Sequence, residues 1–106
     1  MLLQDKVVIV SGIGPGLGQE LSTLAAKEGA SAVVLAARTP AKLDTAEAEI
    51  QALGLGTRVL KVVTDIADNA QCQALAEATV AEFGRIDVLF NSAYDPGSFE
   101  PIAEAD

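Results

Sequence analysis

Histidine and tryptophan are absent from this chain, and cysteine and tyrosine occur once each. Without histidine, the usual zinc centres and the triads built on an imidazole base are excluded. Cys72 closes no disulfide within the chain and belongs to no CxxC or Cys/His cluster, so its expected role is that of a small buried hydrophobe. Positive charge is scarce too: seven Lys and Arg stand against 15 Asp and Glu, for a net charge of −8. The basic residues are scattered, which argues against a nucleic-acid surface, where phosphates are held by clustered Lys and Arg. The acidity reads as solubility. Long apolar runs are missing as well. The longest, Ala32 to Ala37, falls far short of the roughly 20 residues of a membrane span. The start, Met1-Leu2-Leu3-Gln4-Asp5-Lys6, has no basic segment leading into a long apolar one, so no signal peptide is expected. No membrane and no metal are expected, and the expected location is cytoplasmic.

What the chain has is Ala, Val, Leu and Ile: half of its 106 residues are hydrophobic and only 4% are aromatic. That suits a single domain around a sheet buried on both faces. Lys6 to Val10 reads as the first strand. Gly16 to Gly29 follows as a helix with Leu17, Leu21, Leu24 and Ala25 at helical spacing. Ser31 to Ala37 is the second strand. Thr39-Pro40 then starts a helix, with Thr as cap and Pro in the first turn, and Leu43, Ala46, Ile50 and Leu53 form its apolar face. Arg58 to Thr64 is the third strand. Asp68 and Gln71 resemble a capping box opening a helix through Leu75, Ala76, Thr79, Val80 and Phe83, which Gly84 closes. Ile86 to Asn91 is the fourth strand. Alternation of strand and helix with short connections predicts parallel βαβ units in the order 3-2-1-4, helices on both faces, a partial doubly wound α/β sheet. A ligand belongs at the switch point between strands 1 and 4, beyond their carboxyl ends.

The turn after the first strand is Ser11-Gly12-Ile13-Gly14-Pro15-Gly16-Leu17-Gly18. Glycines allow positive φ and close approach of backbone to a pyrophosphate, and the N–H groups of the following helix face the anion. The spacing is Gly-x-x-x-Gly-x-Gly rather than Gly-x-Gly-x-x-Gly, and a Walker-type loop is disfavoured because Gly-Lys-Ser/Thr is absent. The expected ligand is a dinucleotide.

This motif resembles the cofactor loop of the short-chain dehydrogenase/reductase family, usually Thr-Gly-x-x-x-Gly-x-Gly. Leu35-Ala36-Ala37-Arg38 is similar to the end of that family's second strand, Thr64-Asp65-Ile66 to its Asp-Val segment, and Asp87-Val88-Leu89-Phe90-Asn91-Ser92-Ala93-Tyr94 to its Asp-x-Leu-Val-Asn-Asn-Ala-Gly stretch. The resemblance implies a Rossmann-type fold and NAD(P)-dependent hydride transfer between an alcohol and a carbonyl. It implies that Gly12, Ile13, Gly16, Leu17 and Gly18 surround the pyrophosphate, that Asp65 and Ile66 meet the adenine, that Asn91 anchors the fourth strand, and that Ala93 passes near the nicotinamide ribose. A carboxylate at the end of the second strand would bind the ribose 2′-hydroxyl. Here stand Ala36, Ala37 and Arg38, followed by Thr39, and a guanidinium pairs with a 2′-phosphate, so NADP is favoured over NAD. The alternative for Arg38 is a solvated surface charge, for Asp65 the start of a turn, and for Asn91 a bridge between strands.

Two positions depart from the family: Pro15 removes one N–H from the phosphate loop, and Tyr94 stands where the family has Gly. The family's Tyr-x-x-x-Lys pair, in which Lys lowers the Tyr pKa, cannot be assembled: Tyr94 is the one tyrosine, position 98 is Ser, and the last lysine is Lys61. No catalytic residue is assigned, and the chain alone is expected to be inactive. Residues 1–93 read as a cofactor-binding half-domain and 94–106 as a loop or tail. A fragment, a truncated product and a stand-alone dinucleotide-binding or interaction module all remain open. The fourth strand, apolar and at an edge, invites self-association.

Overall fold

The computed structural model describes residues 3–12, 17–65 and 67–91, with the side chain of Leu17 outside that set. Its elements are β1 (Val7–Ser11), α1 (Leu17–Lys27), β2 (Ala32–Ala37), α2 (Pro40–Ala52), β3 (Arg58–Val63), α3 (Asn69–Phe83) and β4 (Val88–Asn91). The strands form one sheet in the order β3-β2-β1-β4, and every pairing is parallel, with Val8 opposite both Val33 and Val88. This is the predicted order and the predicted Rossmann-type architecture. No described helix is long and apolar enough to cross a membrane.

Position in the sheet decides how apolar a strand must be. The two central strands, β1 and β2, are buried at every residue. The edge strands β3 and β4 are buried only in part. Alternate side chains divide the core. Val8, Val10, Val33 and Leu35 face α1 and α2, where Leu43, Ala46 and Ile50 close over them. Ile9, Val34 and Ala36 point the other way and pack against Leu75 of α3.

The helices explain where apolar periodicity misleads. In α1 the inward face is Gly18, Ser22, Ala25 and Ala26, and the predicted Leu24 is 51% exposed. Small residues bring the helix close to the sheet, and Ser22 is affordable there because its hydroxyl donates to the Gly18 carbonyl at 2.9 Å. In α3, Leu75 and Thr79 are buried while Val80 is 48% exposed, because the helix turns Val80 away from the sheet. Cys72 is half-buried rather than enclosed. It sits one turn ahead of Leu75, among the exposed Asn69, Ala70 and Gln71.

The ends of the helices follow local chemistry. Pro40 opens α2 with its φ already set, but the Thr39 side chain makes no capping bond. Asp68 caps α3, its Oδ1 accepting from the Gln71 amide at 3.2 Å. Gly84 ends that helix in the left-handed conformation, φ 80°, its N–H on the Val80 carbonyl at 2.8 Å. The fourth strand begins at Val88, two residues later than its apolar run suggests, and Ile86 is 38% exposed.

Candidate functional site

Because all four strands are parallel, the residue following each arrives at the same edge of the sheet. In spatial order that edge carries Asp65 after β3, Arg38 and Thr39 after β2, Gly12 after β1, and Asn91 at the end of β4. The chain leaves β1 toward β2 on one side and reaches β4 from β3 on the other, so the β1–β4 boundary is the switch point, where open α/β sheets form their ligand crevice.

At that boundary the backbone leaves the sheet abruptly. Gly12 still donates to the Ala36 carbonyl at 2.9 Å, yet its φ is 82°, a left-handed turn that a side chain would strain. One residue earlier, the buried Ser11 lies opposite Asn91 in the β1–β4 register, and its hydroxyl donates to Asn91 Oδ1 at 3.2 Å. Asn91 therefore joins β4 to β1 beside the glycine turn. Gly18 is buried in the first turn of α1. Of the remaining predicted site residues, Ile13, Gly16, Ile66, Ala93 and the side chain of Leu17 lie outside the described residues.

Two connections complete the edge. The buried Thr64 donates its N–H to the Ala37 carbonyl at 2.8 Å, holding the β3 exit against the β2 exit. Asp65 then turns the chain: its Oδ1 accepts from the Ala67 amide at 3.0 Å, and its own N–H donates to Gln71 Oε1 at 2.8 Å. Arg38 and Thr39 are exposed. Among the described residues Arg38 forms no ion pair, whereas Arg58, Lys61 and Arg85 each hold a carboxylate.

The perturbed charges lie elsewhere. Asp87, just before β4, accepts from the Val7 amide at 2.8 Å and from the Arg85 guanidinium at 2.7 Å. The guanidinium first, and that amide second, hold its carboxyl below the ordinary carboxylate range. Lys61 of β3 lies between Asp44 and Glu47, whose hydrogen bonds raise its pKa. Asp87 sits where β4 begins, at the opposite end of the strands from the glycine turn, so it is a fastening rather than part of the edge. Sequence reading missed Gln71 as a neighbour of Asp65. Its capping spacing was visible, but the distant acceptor role was not.

The profile of short chain dehydrogenases matches residues 6–106. A (5R,7aS)-5-hydroxy-7a-methyl-1-oxo-hexahydroindene-carboxyl-CoA reductase of Mycobacterium tuberculosis is 42% identical over 104 residues, covering 97% of this chain and 38% of the relative. A short chain dehydrogenase/reductase of Aspergillus oryzae is 39% identical over 102 residues, 96% of this chain and 38% of the relative. Among solved structures, levodione reductase superposes with a TM-score of 0.80 at 34% identity, covering 96% of this chain and 41% of that one. The chain belongs to the short-chain dehydrogenase family and corresponds to the portion that binds the nicotinamide dinucleotide. It spans 38% of the length of these two curated relatives.

Proposed function

We propose that this chain supplies the cofactor-binding half of an NADP-linked oxidoreductase acting on an alcohol or a carbonyl. One observation carries the choice of cofactor: the β2 exit has no carboxylate and presents Arg38, exposed and without an ion pair among the described residues. A guanidinium in that place suits a 2′-phosphate, and the Thr39 hydroxyl adds a donor beside it. Around the same edge, the turn from Gly12 through Ile13 and Gly16 to Leu17 and Gly18 takes the pyrophosphate. Asp65 with Ile66 takes the adenine, Asn91 anchors β4 beside the site, and Ala93 borders the nicotinamide ribose. The donor set fits such a ligand: a left-handed glycine and a helix start for the anion, a guanidinium for the phosphate, and a carboxylate for an amino group. When bound, the nicotinamide supplies the hydride chemistry.

The test is calorimetry on the 106-residue chain. NADPH should bind more tightly than NADH, and Arg38→Asp should reverse the order. Loss of one charge-assisted pair should change affinity by on the order of tenfold. Equal affinities in the native sequence would remove Arg38 from this role.

Turnover belongs to the same proposal for the whole protein. The chain as given carries no Tyr-x-x-x-Lys pair, and we assign it binding without turnover, together with self-association through β4. A screen of alcohols and carbonyls with both cofactors should be blank. Cofactor-dependent turnover that survives Tyr94→Phe would overturn that assignment.

A further inference from the structure

We infer that Gln71 is a positioning residue for the adenine end of the site, acting through Asp65. The inference rests on the reading of Asp65 given above.

In a capping box, the side chain three residues into the helix returns to the N–H of the capping residue. In α3 that return is already taken: the Asp68 N–H donates to the Asp65 carbonyl at 2.9 Å. The Gln71 amide reaches three residues further back, and its Oε1 accepts the Asp65 N–H at 2.8 Å. Asp68 caps the helix independently, its Oδ1 on the Gln71 N–H at 3.2 Å, while its Oδ2 lies 3.4 Å from Gln71 Nε2. The second contact orients the amide, with nitrogen toward Asp68 and oxygen toward Asp65. Helix capping therefore does not require the Gln71 carbonyl, and what that oxygen holds is the loop.

The loop so held is short and fastened at its other end by Thr64, whose N–H bonds to Ala37 at the β2 exit, next to Arg38. Between these ties Asp65 uses Oδ1 for the Ala67 amide and forms no bond through Oδ2 with a described residue. A carboxylate fixed at its backbone and at one oxygen presents the other in a set direction. That is the preorganisation an acceptor for an exocyclic amino group needs.

The experiment uses the 106-residue chain and two probes: 2′,5′-ADP, which carries adenine, and reduced nicotinamide mononucleotide, which does not. Gln71→Leu removes the acceptor, and Gln71→Asn is too short to reach Asp65. Asp65→Asn preserves the turn but places an amide NH2 where the second oxygen was. By calorimetry, Gln71→Leu and Gln71→Asn should each weaken 2′,5′-ADP by about twofold to tenfold, the range of a single hydrogen bond. Reduced nicotinamide mononucleotide should bind unchanged throughout. The double variant Asp65→Asn/Gln71→Leu should bind no more weakly than Asp65→Asn alone, because both act on one contact. The inference fails if Asp65→Asn weakens 2′,5′-ADP while Gln71→Leu and Gln71→Asn do not. It fails equally if the Gln71 variants weaken both probes alike, which marks general loosening. If Asp65→Asn leaves 2′,5′-ADP binding unchanged, the reading of Asp65 itself is wrong and this inference goes with it.

Discussion

The two faces of the sheet are finished to different degrees. Over α1 and α2, the side chains of Val8, Val10, Val33 and Leu35 have no exposed area, and Leu43 and Ile50 above them are 1% exposed. On the other face α3 packs over β2, with Leu75 against Ile9, Val34 and Ala36. Leu89 of β4 faces that same side and is 44% exposed. The edges differ in the same sense. The β3 edge carries Arg58, stacked over Phe83 at 4.7 Å and paired with Glu82, and Lys61 between Asp44 and Glu47. The β4 strand, Val88-Leu89-Phe90-Asn91, carries no charge. Charge on an outer strand is a common protection against edge pairing. Among the described residues, one corner of the fold is therefore closed and protected, and the opposite corner, β4 on the α3 face, is apolar and open.

Core truncations should separate the faces most strongly. Ile50→Ala removes a side chain enclosed on all sides and should destabilise by about 3 kcal/mol, within the range for such deletions. Leu75→Ala, at 6% exposure on the one described helix of its face, should cost about 2 kcal/mol, since that thinner face collapses more readily around the space. Urea unfolding of the two variants measures the difference. An equal or larger cost at Leu75 would break the distinction between a finished and an unfinished face.

The next largest effect concerns association. Leu89→Lys places a charge on the open corner without removing an enclosed contact. It should shift the 106-residue chain toward monomer at tens of micromolar in light scattering, with its melting midpoint nearly unchanged. Lys61→Leu makes the complementary change at the protected edge and should promote association there. A native chain that is already monomeric at that concentration would show that the charge of −8 outweighs the open strand.

Much of this layout was legible beforehand because buried parallel strands write themselves as apolar runs. Val7 to Val10 and Ala32 to Ala37 needed no alternation to be recognised, and their order followed from the short helical crossovers. Helix faces were less legible. Gly18, Ser22, Ala25 and Ala26 form the inward stripe of α1, and a search for large apolar residues selects Leu24 instead. The edge residues were visible as types at strand ends: Gly12, Arg38, Asp65 and Asn91. Invisible were the ties between them, such as Gln71 to Asp65, because a side-chain amide is compatible with many partners and only the folded loop selects one. Asp87 shows the same limit. Its place in a familiar stretch was plain, but its bond to Val7, 80 residues away, was not.

Titration sharpens the contrast at the root of β4. The Arg85 guanidinium and the Val7 amide depress the Asp87 pKa in the folded chain. Stability from this source is present above the unfolded carboxylate value, about 3.9, and is lost as pH falls through the depressed folded value. Asp87→Asn keeps an acceptor for Val7 but loses the charge opposite Arg85. Its melting midpoint should lie below the native one at pH 7, by a gap constant down to about pH 5 and closing in stronger acid. A gap that stays open to pH 2 would show that Asn disturbs packing and that the charge is incidental.

The smallest effect belongs to the protected edge. Asp44 and Glu47 raise the Lys61 pKa, so the sign is opposite: their contribution is present below the ordinary lysine value, about 10.4, and lost as pH rises through the raised folded value. The Lys61 side chain is 35% exposed and that of Asp44 66%, so water and salt screen the pair strongly. Lys61→Met should lower the melting midpoint at pH 7 by a few degrees at most, and 1 M sodium chloride should erase most of that difference. Asp87→Asn, whose side chain is only 15% exposed, should keep more of its difference in the same salt. If salt abolished both alike, the fastening of β4 to β1 would be no stronger than an ordinary surface pair. The open corner would then lack the rigid root that its hydrogen bonds imply.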